Sequence, residues 1–273
     1  MRKLFLSFLI FIFICPNFAF TQNVVLRAEF QTTFYDNPQR KHNISLSISK
    51  FNNLIINAGD EVSFNNVVGK RTKENGFLDA KIILDGEYVD GIGGGVCQTS
   101  TTIFNAVILA GLEITESHNH SLPSHYVPLG KDAMVSSGAD LRFVNNTGKQ
   151  IIFKTGVNDN IVWVKIYGRS KGENINYALS TNIIKEYPPK NVYLLNGEKI
   201  DFVWNENQYT ATQIDNGSAG YAVDTYFECR KKNKLLFKKF LRKNVYKSQP
   251  VKYSLSLIQH DNPQIQSSPP HLN

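Results

Sequence analysis

The stretch GGGVCQTSTTIFNAVILAGL, residues 93–112, decides the fold of this chain around its cysteine loop. Apolar residues recur in it at spacings of one, three and four, which predicts a helix with one buried face, at Ile103, Phe104, Val107 and Ile108. We expect Thr99 or Ser100 to cap the start of this helix. Gly111 fits a terminating turn, with Leu112 folding back onto the helix.

Cys97 lies at the predicted amino end of this helix, directly after three glycines. Helix amino ends concentrate unpaired N–H donors and about half a positive charge, which stabilise a thiolate. Gly94 and Gly95 carry no side chain, so a substrate can approach the loop closely. We expect backbone N–H groups from Gly95 to Gln98 to hold a developing oxyanion. The placement predicts a nucleophile.

A nucleophilic cysteine also needs a base, and a polar loop after the helix contains His118, His120 and His125. A chain that leaves a helix and turns back can bring such a loop to the start of the helix. Asp132 or Asp140 can then orient the imidazole and complete a Cys-His-acid arrangement.

Three other interpretations of the cysteine are open at this point. Cys97 and Cys229 can form a disulfide in an oxidising compartment. Cys97, His118 and His120 have ligand types that suit zinc, although their spacing matches no common zinc signature. The glycine stretch lacks the lysine of a P-loop and does not match a dinucleotide fingerprint. A phosphate-binding site is therefore the weakest of the three interpretations. The nucleophile interpretation needs no metal or organic cofactor.

Strand patterns surround the helix. Residues 79–92 predict a hairpin that turns at Asp85-Gly86, and residues 57–60 predict a turn between two short strands. Residues 141–168 predict a three-stranded meander. Further strand patterns, separated by turn residues, follow toward the C-terminus in NVYLL, YFECR and LLFKKFL.

The first residues predict export. Arg2 and Lys3 precede an apolar run of about a dozen residues, which ends at a proline and is typical of a secretory signal peptide. The run is shorter than the ~20 residues of a membrane span, although an uncleaved anchor remains open. Removing Arg2 and Lys3 takes the net charge from +7 to +5, which favours anionic partners such as wall polymers. No nucleic-acid-binding motif is present.

Residues 43–169 resemble the VanW family, which is named for a protein found with glycopeptide-resistance genes. The resemblance rests on AGDEVSFNNVVGKRTKENGF, on GGGVCQ and on the downstream pattern HS, YVP, G and DA. It implies L,D-transpeptidation of peptidoglycan with Cys97 as nucleophile and His120 as base. Gln98, Tyr126 and Asp132 also fall on motif positions, and Ser121 follows the histidine. Lys131 stands where the family often has arginine.

Residues 215–250 resemble, more faintly, the G-five domain, a small β module of cell-wall proteins. Gly217, Gly220 and the strand pair around Lys232-Asn233 carry this resemblance. A basic run begins there, and it can contact anionic wall polymer or simply form a solvated strand face, with Arg230, Lys231, Lys232 and Lys234 as its first members.

We therefore predict an exported α+β protein of the cell envelope, periplasmic or extracellular. A buried helix lies behind the cysteine loop, among antiparallel strands, and a small all-β domain follows. The predicted segments are a signal peptide at 1–20, a VanW-like domain at 21–170, a G-five-like domain at 171–258 and a disordered tail at 259–273. A thiol peptidase or carboxypeptidase, and a non-catalytic wall-binding or resistance accessory protein, are the alternative functions.

Overall fold

The computed structural model describes residues 24–35, 37–84, 87–201 and 205–258. The predicted signal peptide and tail lie outside the described residues, as do Asp85 and Gly86. The described helices are α1 (Pro38–Ser49), α2 (Phe64–Val68) and α3 (Val96–Leu109). The described strands are β1 (Val25–Thr33), β2 (Ile55–Ile56), β3 (Glu61–Ser63), β4 (Asp79–Leu84), β5 (Glu87–Ile92), β6 (Glu113–Glu116), β7 (Arg142–Val144), β8 (Ile151–Asn158), β9 (Ile161–Gly168), β10 (Ile175–Tyr187), β11 (Asn191–Leu195), β12 (Glu198–Lys199), β13 (Tyr209–Asp215), β14 (Gly220–Lys231), β15 (Lys234–Tyr246) and β16 (Val251–Leu257).

The predicted central helix is confirmed as α3, and its apolar face is fully buried. Its start differs from the prediction, because Gly95 is the N-cap and no side chain caps the helix. The helix therefore begins before Thr99, and Cys97 lies inside its first turn. Its end follows the prediction: Gly111 has a φ of 76°, and the Leu112 N–H donates to the Val107 carbonyl at 3.1 Å.

Helix α3 packs against a four-stranded antiparallel sheet with the order β1-β9-β8-β2. Alternate residues of β9 are buried, as expected for a strand with one face on the core. Helix α1 packs between α3 and β8. Asn37 caps α1 by accepting from the Arg40 N–H at 2.8 Å, and Pro38 occupies the first turn, where a missing N–H costs nothing.

The predicted three-stranded meander is only partly correct. β8 and β9 pair as an antiparallel hairpin, but β7 lies in a separate sheet with the order β3-β7-β6. β7 leaves the meander because Asn145 ends it: its side-chain amide donates to the backbone carbonyls of Ile56, Asn57 and Lys149 at 2.8–2.9 Å. The 79–92 hairpin is confirmed as β4 and β5, and β2 and β3 are the two predicted short strands.

From β10 to the end of the described chain every element is a strand. These strands form two sheets, with the orders β10-β14-β15 and β12-β11-β16-β13. The apolar core crosses the predicted boundary at residue 170, since Leu179 of β10 is buried with the residues of α3, and Phe227 and Leu241 pack against the same cluster. The molecule is therefore mostly strands in several antiparallel sheets and one mixed sheet, in which β11 and β16 are parallel. Its division into two domains stays a prediction.

Within the described part of the chain, none of the helices has the length and apolar character needed to cross a membrane.

Candidate active site

Cys97 is half-buried in the first turn of α3, where its thiol donates a hydrogen bond to the Val135 carbonyl at 3.4 Å. The glycine loop sets this position. Gly95 has a φ of 109°, and a Cβ there would lie 2.9 Å from Ile44 Cγ1. A Cβ on Gly94 would lie 2.7 Å from the backbone of Ala80. Gly95 is required because its backbone is left-handed and packs tightly against α1, and Gly94 is required because any side chain would clash with the backbone of β4.

His120 and Asp132 form a buried pair beside the thiol. His120 Nδ1 lies 2.7 Å from Asp132 Oδ2, and the His120 backbone N–H donates to the same oxygen at 2.7 Å. The His120 side chain also hydrogen-bonds with Cys97. Since Nδ1 faces the carboxylate, Nε2 is the nitrogen that faces the sulfur. The His120 and Asp132 residues are only 5% and 1% exposed, so water does not separate the pair.

The ionised forms of Cys97, His120 and Asp132 stabilise one another. Burial opposes a charged imidazole, but hydrogen bonds to Asp132 and Cys97 outweigh it and raise the pKa of His120 to about 9. Burial likewise opposes a thiolate, but the hydrogen bond and charge of His120, with smaller contributions from Val135 and Arg71, lower the pKa of Cys97. The pKa of Asp132 is also lowered, because bonds from His120 exceed the effect of burial. These shifts favour the ionised pair of thiolate and imidazolium over the neutral thiol and imidazole.

The structure distinguishes between the residues left open by sequence. Asp140 does not face the imidazole, because its carboxylate accepts from Ser63 Oγ at 2.5 Å and from the Asn65 N–H at 2.9 Å. His118 does not face the thiol, because its Nε2 pairs with Glu116 at 2.9 Å. His118 and His120 are only two residues apart, but each ring pairs with its own carboxylate.

The candidate oxyanion donors differ in availability. The Gln98 backbone N–H donates to the Gly95 carbonyl at 2.9 Å, and the Val96 N–H donates to the Gly93 carbonyl at 3.0 Å. The Gln98 side chain is also occupied, since it donates to Thr32 Oγ1 at 3.0 Å and to a carbonyl of β1. Among the described residues, the Cys97 N–H has no hydrogen-bond acceptor, as expected in a first helical turn. Of the N–H groups of Val96, Cys97 and Gln98, that of Cys97 is the one available to an oxyanion.

A cleft of about 1400 Å³ opens above Cys97 and His120. Tyr126 lines it, and burial raises the pKa of its phenol, so the hydroxyl stays protonated. Gly94 and Ser121 are described residues outside the lining of this cleft. The Ser121 carbonyl instead accepts from the Lys247 N–H at 2.7 Å, so Ser121 faces the C-terminal sheet. The predicted substrate-binding roles of these three residues stay predictions.

Strand β15 supports the histidine–aspartate pair from behind. The Tyr246 hydroxyl donates to Asp132 Oδ1 at 2.5 Å and accepts from the Gly130 N–H at 2.8 Å. Arg242 donates to the Asp132 carbonyl and lies 5.1 Å from the ring centre of Phe104 in α3. The sequence predicts neither residue as part of the site, because Tyr246 lies 114 positions from Asp132 and no local pattern joins them. Arg242 lies farther along the basic run that begins at Arg230, but it contacts the site.

The other interpretations of Cys97 find no support in this geometry. Cys97 and Cys229 are both free, and Cys229 is buried in β14. Within the described ranges, no group of three histidine, cysteine, aspartate or glutamate residues is arranged to hold a metal ion.

Part of the chain is similar to known proteins. Residues 39–167 match the family model described as VanW like protein, and this range contains Cys97, His120 and Asp132. The predicted VanW resemblance is confirmed for that part of the chain. The sequence is 45% identical over 119 residues to the uncharacterized protein YoaR of Bacillus subtilis, a match that covers 43% of this chain and 39% of that relative.

A second relative is the vancomycin B-type resistance protein VanW of Enterococcus faecalis, with 29% identity over 111 residues. That match covers 38% of this chain and 40% of the relative, so the chain spans about two fifths of either protein. The solved structure of HP0197-G5 is 14% identical, and the match covers 29% of this chain and 96% of that one. Its TM-score of 0.17 is too low to establish a shared fold.

Proposed function

We propose that this protein is a cell-envelope cysteine acyltransferase that acts on peptidoglycan stem peptides, with L,D-transpeptidation as its reaction. One observation carries the proposal: Cys97, His120 and Asp132 form a hydrogen-bonded array at the base of a large cleft. The vancomycin-resistance name of one relative supports a substrate in the cell envelope. The N-terminal pattern supports an exported enzyme, periplasmic or extracellular.

In the first half-reaction the Cys97 thiolate attacks the carbonyl carbon of the donor stem peptide. The Cys97 N–H stabilises the oxyanion, as a donor aimed at developing charge does in acyl transfer. Collapse of the tetrahedral intermediate breaks the C–N bond, and the imidazolium of His120 gives its proton to the departing amine. A D-amino acid leaves, and a thioester remains on the enzyme.

In the second half-reaction an amine of a neighbouring stem attacks the thioester. Neutral His120 takes a proton from this amine, and the C–S bond breaks to restore the Cys97 thiolate. Asp132 holds the imidazole in the tautomer that exposes Nε2 and stabilises the imidazolium, as the acid of a triad does. Water in place of the amine would make the same residues a carboxypeptidase.

Mass spectrometry of the protein with a tetrapeptide-stem muropeptide tests the proposal. We expect an acyl adduct on the wild type and on Cys229→Ala, and none on Cys97→Ala. Cys229→Ala is the matched control, because Cys229 is a buried thiol of the C-terminal sheet. The absence of both adduct and product with the wild type, or equal product with Cys97→Ala, overturns the proposal. Trimmed peptide without cross-links assigns the hydrolase instead, and a Cys97 alkylation rate no faster than that of a free thiol supports a non-catalytic protein.

We propose in addition that the basic β14–β15 turn contacts an anionic wall polymer. Lys231, Lys232 and Lys234 are exposed around this turn. Arg230 is less available, since its guanidinium pairs with the buried Glu228 at 3.0 Å.

A further inference from the structure

Arg71 is a fixed cation in the cleft that holds Cys97. Both residues line this cleft. Arg71 Nη1 donates to Asn65 Oδ1 at 2.7 Å, and the Asn65 amide donates to the carbonyls of Ser136 and Ala139, both at 3.0 Å. Asn65 is therefore anchored, and it holds one edge of the guanidinium in place.

The glycine loop brings this cation close to the nucleophile. A Cβ on Gly93 would lie 3.2 Å from Arg71 Cβ, so the arginine side chain starts against the loop that carries Cys97 four residues later. The two groups also interact electrostatically, since the charge of Arg71 helps to lower the pKa of the Cys97 thiol. Arg71 therefore lies near the thiol within the same cleft.

Arg71 forms no ion-pair contact with a carboxylate of the described residues, although the charges of Cys97 and Asp140 act on it from farther away. Within the described part of the chain, no carboxylate lies within 4.0 Å of its guanidinium. Burial lowers the pKa of Arg71, but a guanidinium remains protonated at neutral pH. Arg40, a second arginine of the cleft, differs because its Nη2 donates to Gln98 Oε1 at 2.8 Å within the first turn of α3. A half-buried cation with no carboxylate in ion-pair contact is suited to bind an anionic group of a ligand.

We infer that Arg71 binds the terminal carboxylate of the donor stem peptide, an inference that rests on the proposed acyl transfer. The residue that leaves carries this carboxylate, one Cα beyond the amide bond that breaks. One residue spans at most about 3.6 Å, so the carboxylate must lie close to Cys97. Recognition of that group makes Arg71 a specificity determinant, which selects stems that end at the leaving residue over longer or amidated chains.

The test compares two donors on two proteins. The donors are tetrapeptide-stem muropeptides with a C-terminal carboxylate or a C-terminal carboxamide, and the proteins are the wild type and Arg71→Gln. We expect the wild type to acylate the carboxylate donor about 10- to 100-fold more efficiently, in the range of a charge-assisted hydrogen bond. We expect Arg71→Gln to lose most of this preference, mainly through KM.

Two controls distinguish the loss of carboxylate binding from other effects of the Arg71→Gln substitution. Lys50→Gln removes one exposed positive charge outside the cleft and should keep the preference. Cys97→Ala, which cannot be acylated, should bind the carboxylate donor more tightly than the carboxamide, and Cys97→Ala/Arg71→Gln should bind both equally. Equal acylation of both donors by the wild type, or an unchanged preference in Arg71→Gln, overturns the carboxylate site and leaves the acyl transfer intact. If neither donor acylates the wild type, the proposed function itself fails.

Discussion

The two halves of the site are built in different ways. Cys97 is positioned by neighbours in sequence, the glycine loop before it and the helix that follows. His120 and Asp132 lie in a long irregular loop, whose position depends on contacts with β14 and β15. The thiol half is therefore a local structure, whereas the acid–base half needs the C-terminal sheet. A substitution that disrupts that sheet should therefore impair the proposed reaction without changing the position of Cys97.

The contacts at Gly130 show how closely this loop fits the sheet. The Gly130 carbonyl accepts from Thr225 Oγ1 at 2.9 Å, and a Cβ on Gly130 would lie 2.5 Å from the same oxygen. Asn119 adds a bond to the Val245 carbonyl at 3.0 Å. A C-terminal region that only bound the wall would not need such contacts with the loop that contains His120 and Asp132.

The largest effect should come from the acid–base half itself. His120→Gln removes the group proposed to protonate the leaving amine, so we expect acylation to fall about 10²–10⁴-fold. The rate of adduct formation measured by mass spectrometry checks this. His118→Gln is the matched control, because His118 pairs with Glu116 and should leave the rate within a few-fold. Equal losses in both variants would contradict the assignment of His120.

The contribution of the sheet is tested by Tyr246→Phe. This change removes the hydroxyl that donates to Asp132 and leaves the Gly130 N–H without its acceptor. We expect acylation to fall about 10-fold and the free energy of unfolding to fall by about 1–3 kcal/mol. Urea unfolding and the pH profile of acylation measure the two effects.

Tyr253→Phe serves as the control for Tyr246→Phe. Within the described ranges the Tyr253 hydroxyl makes no hydrogen bond, although its ring stacks on Tyr193. A pH profile of Tyr246→Phe that coincides with that of the wild type would show that Tyr246 stabilises the fold without positioning Asp132.

The interaction between Cys97 and His120 should be measurable in the pH titration of the histidine. The thiolate of Cys97 helps to raise the pKa of His120 to about 9, so Cys97→Ala should lower this pKa measurably. Because the folded-state pKa exceeds the ordinary value of about 6.5, this stabilisation is complete below pH 6.5 and is lost as the pH rises through about 9. NMR titration of the His120 ring in both proteins measures the shift, and identical midpoints would refute the pairing with Cys97.

The smallest effect should come from changes in the basic turn, and we expect it in wall binding. Replacing Lys231, Lys232 and Lys234 by glutamine should weaken sedimentation with isolated cell walls at low salt and change stability by less than about 0.5 kcal/mol. Arg230 is retained in this variant because it pairs with Glu228. A triple variant at exposed lysines elsewhere provides the control, at Lys50, Lys149 and Lys190. Equal wall binding by both variants would refute a specific contact.

The sequence by itself determined the local structures. The period of apolar residues predicts α3, Gly111 predicts its end, and the glycines before Cys97 predict a thiol at a helix amino end. The 79–92 hairpin follows from the same kind of short-range signal. These features are predictable because residues a few positions apart decide them.

Only the tertiary structure decided which distant groups meet. It pairs His120 with Asp132 and not Asp140, places β7 beside β3 and β6, and brings Tyr246 onto the acid. The sequence offers two carboxylates and several histidines, and loop closure over 12 to 114 residues leaves no periodic signal that selects among them. The selection comes from packing, because a buried carboxylate is stable only where donors surround it.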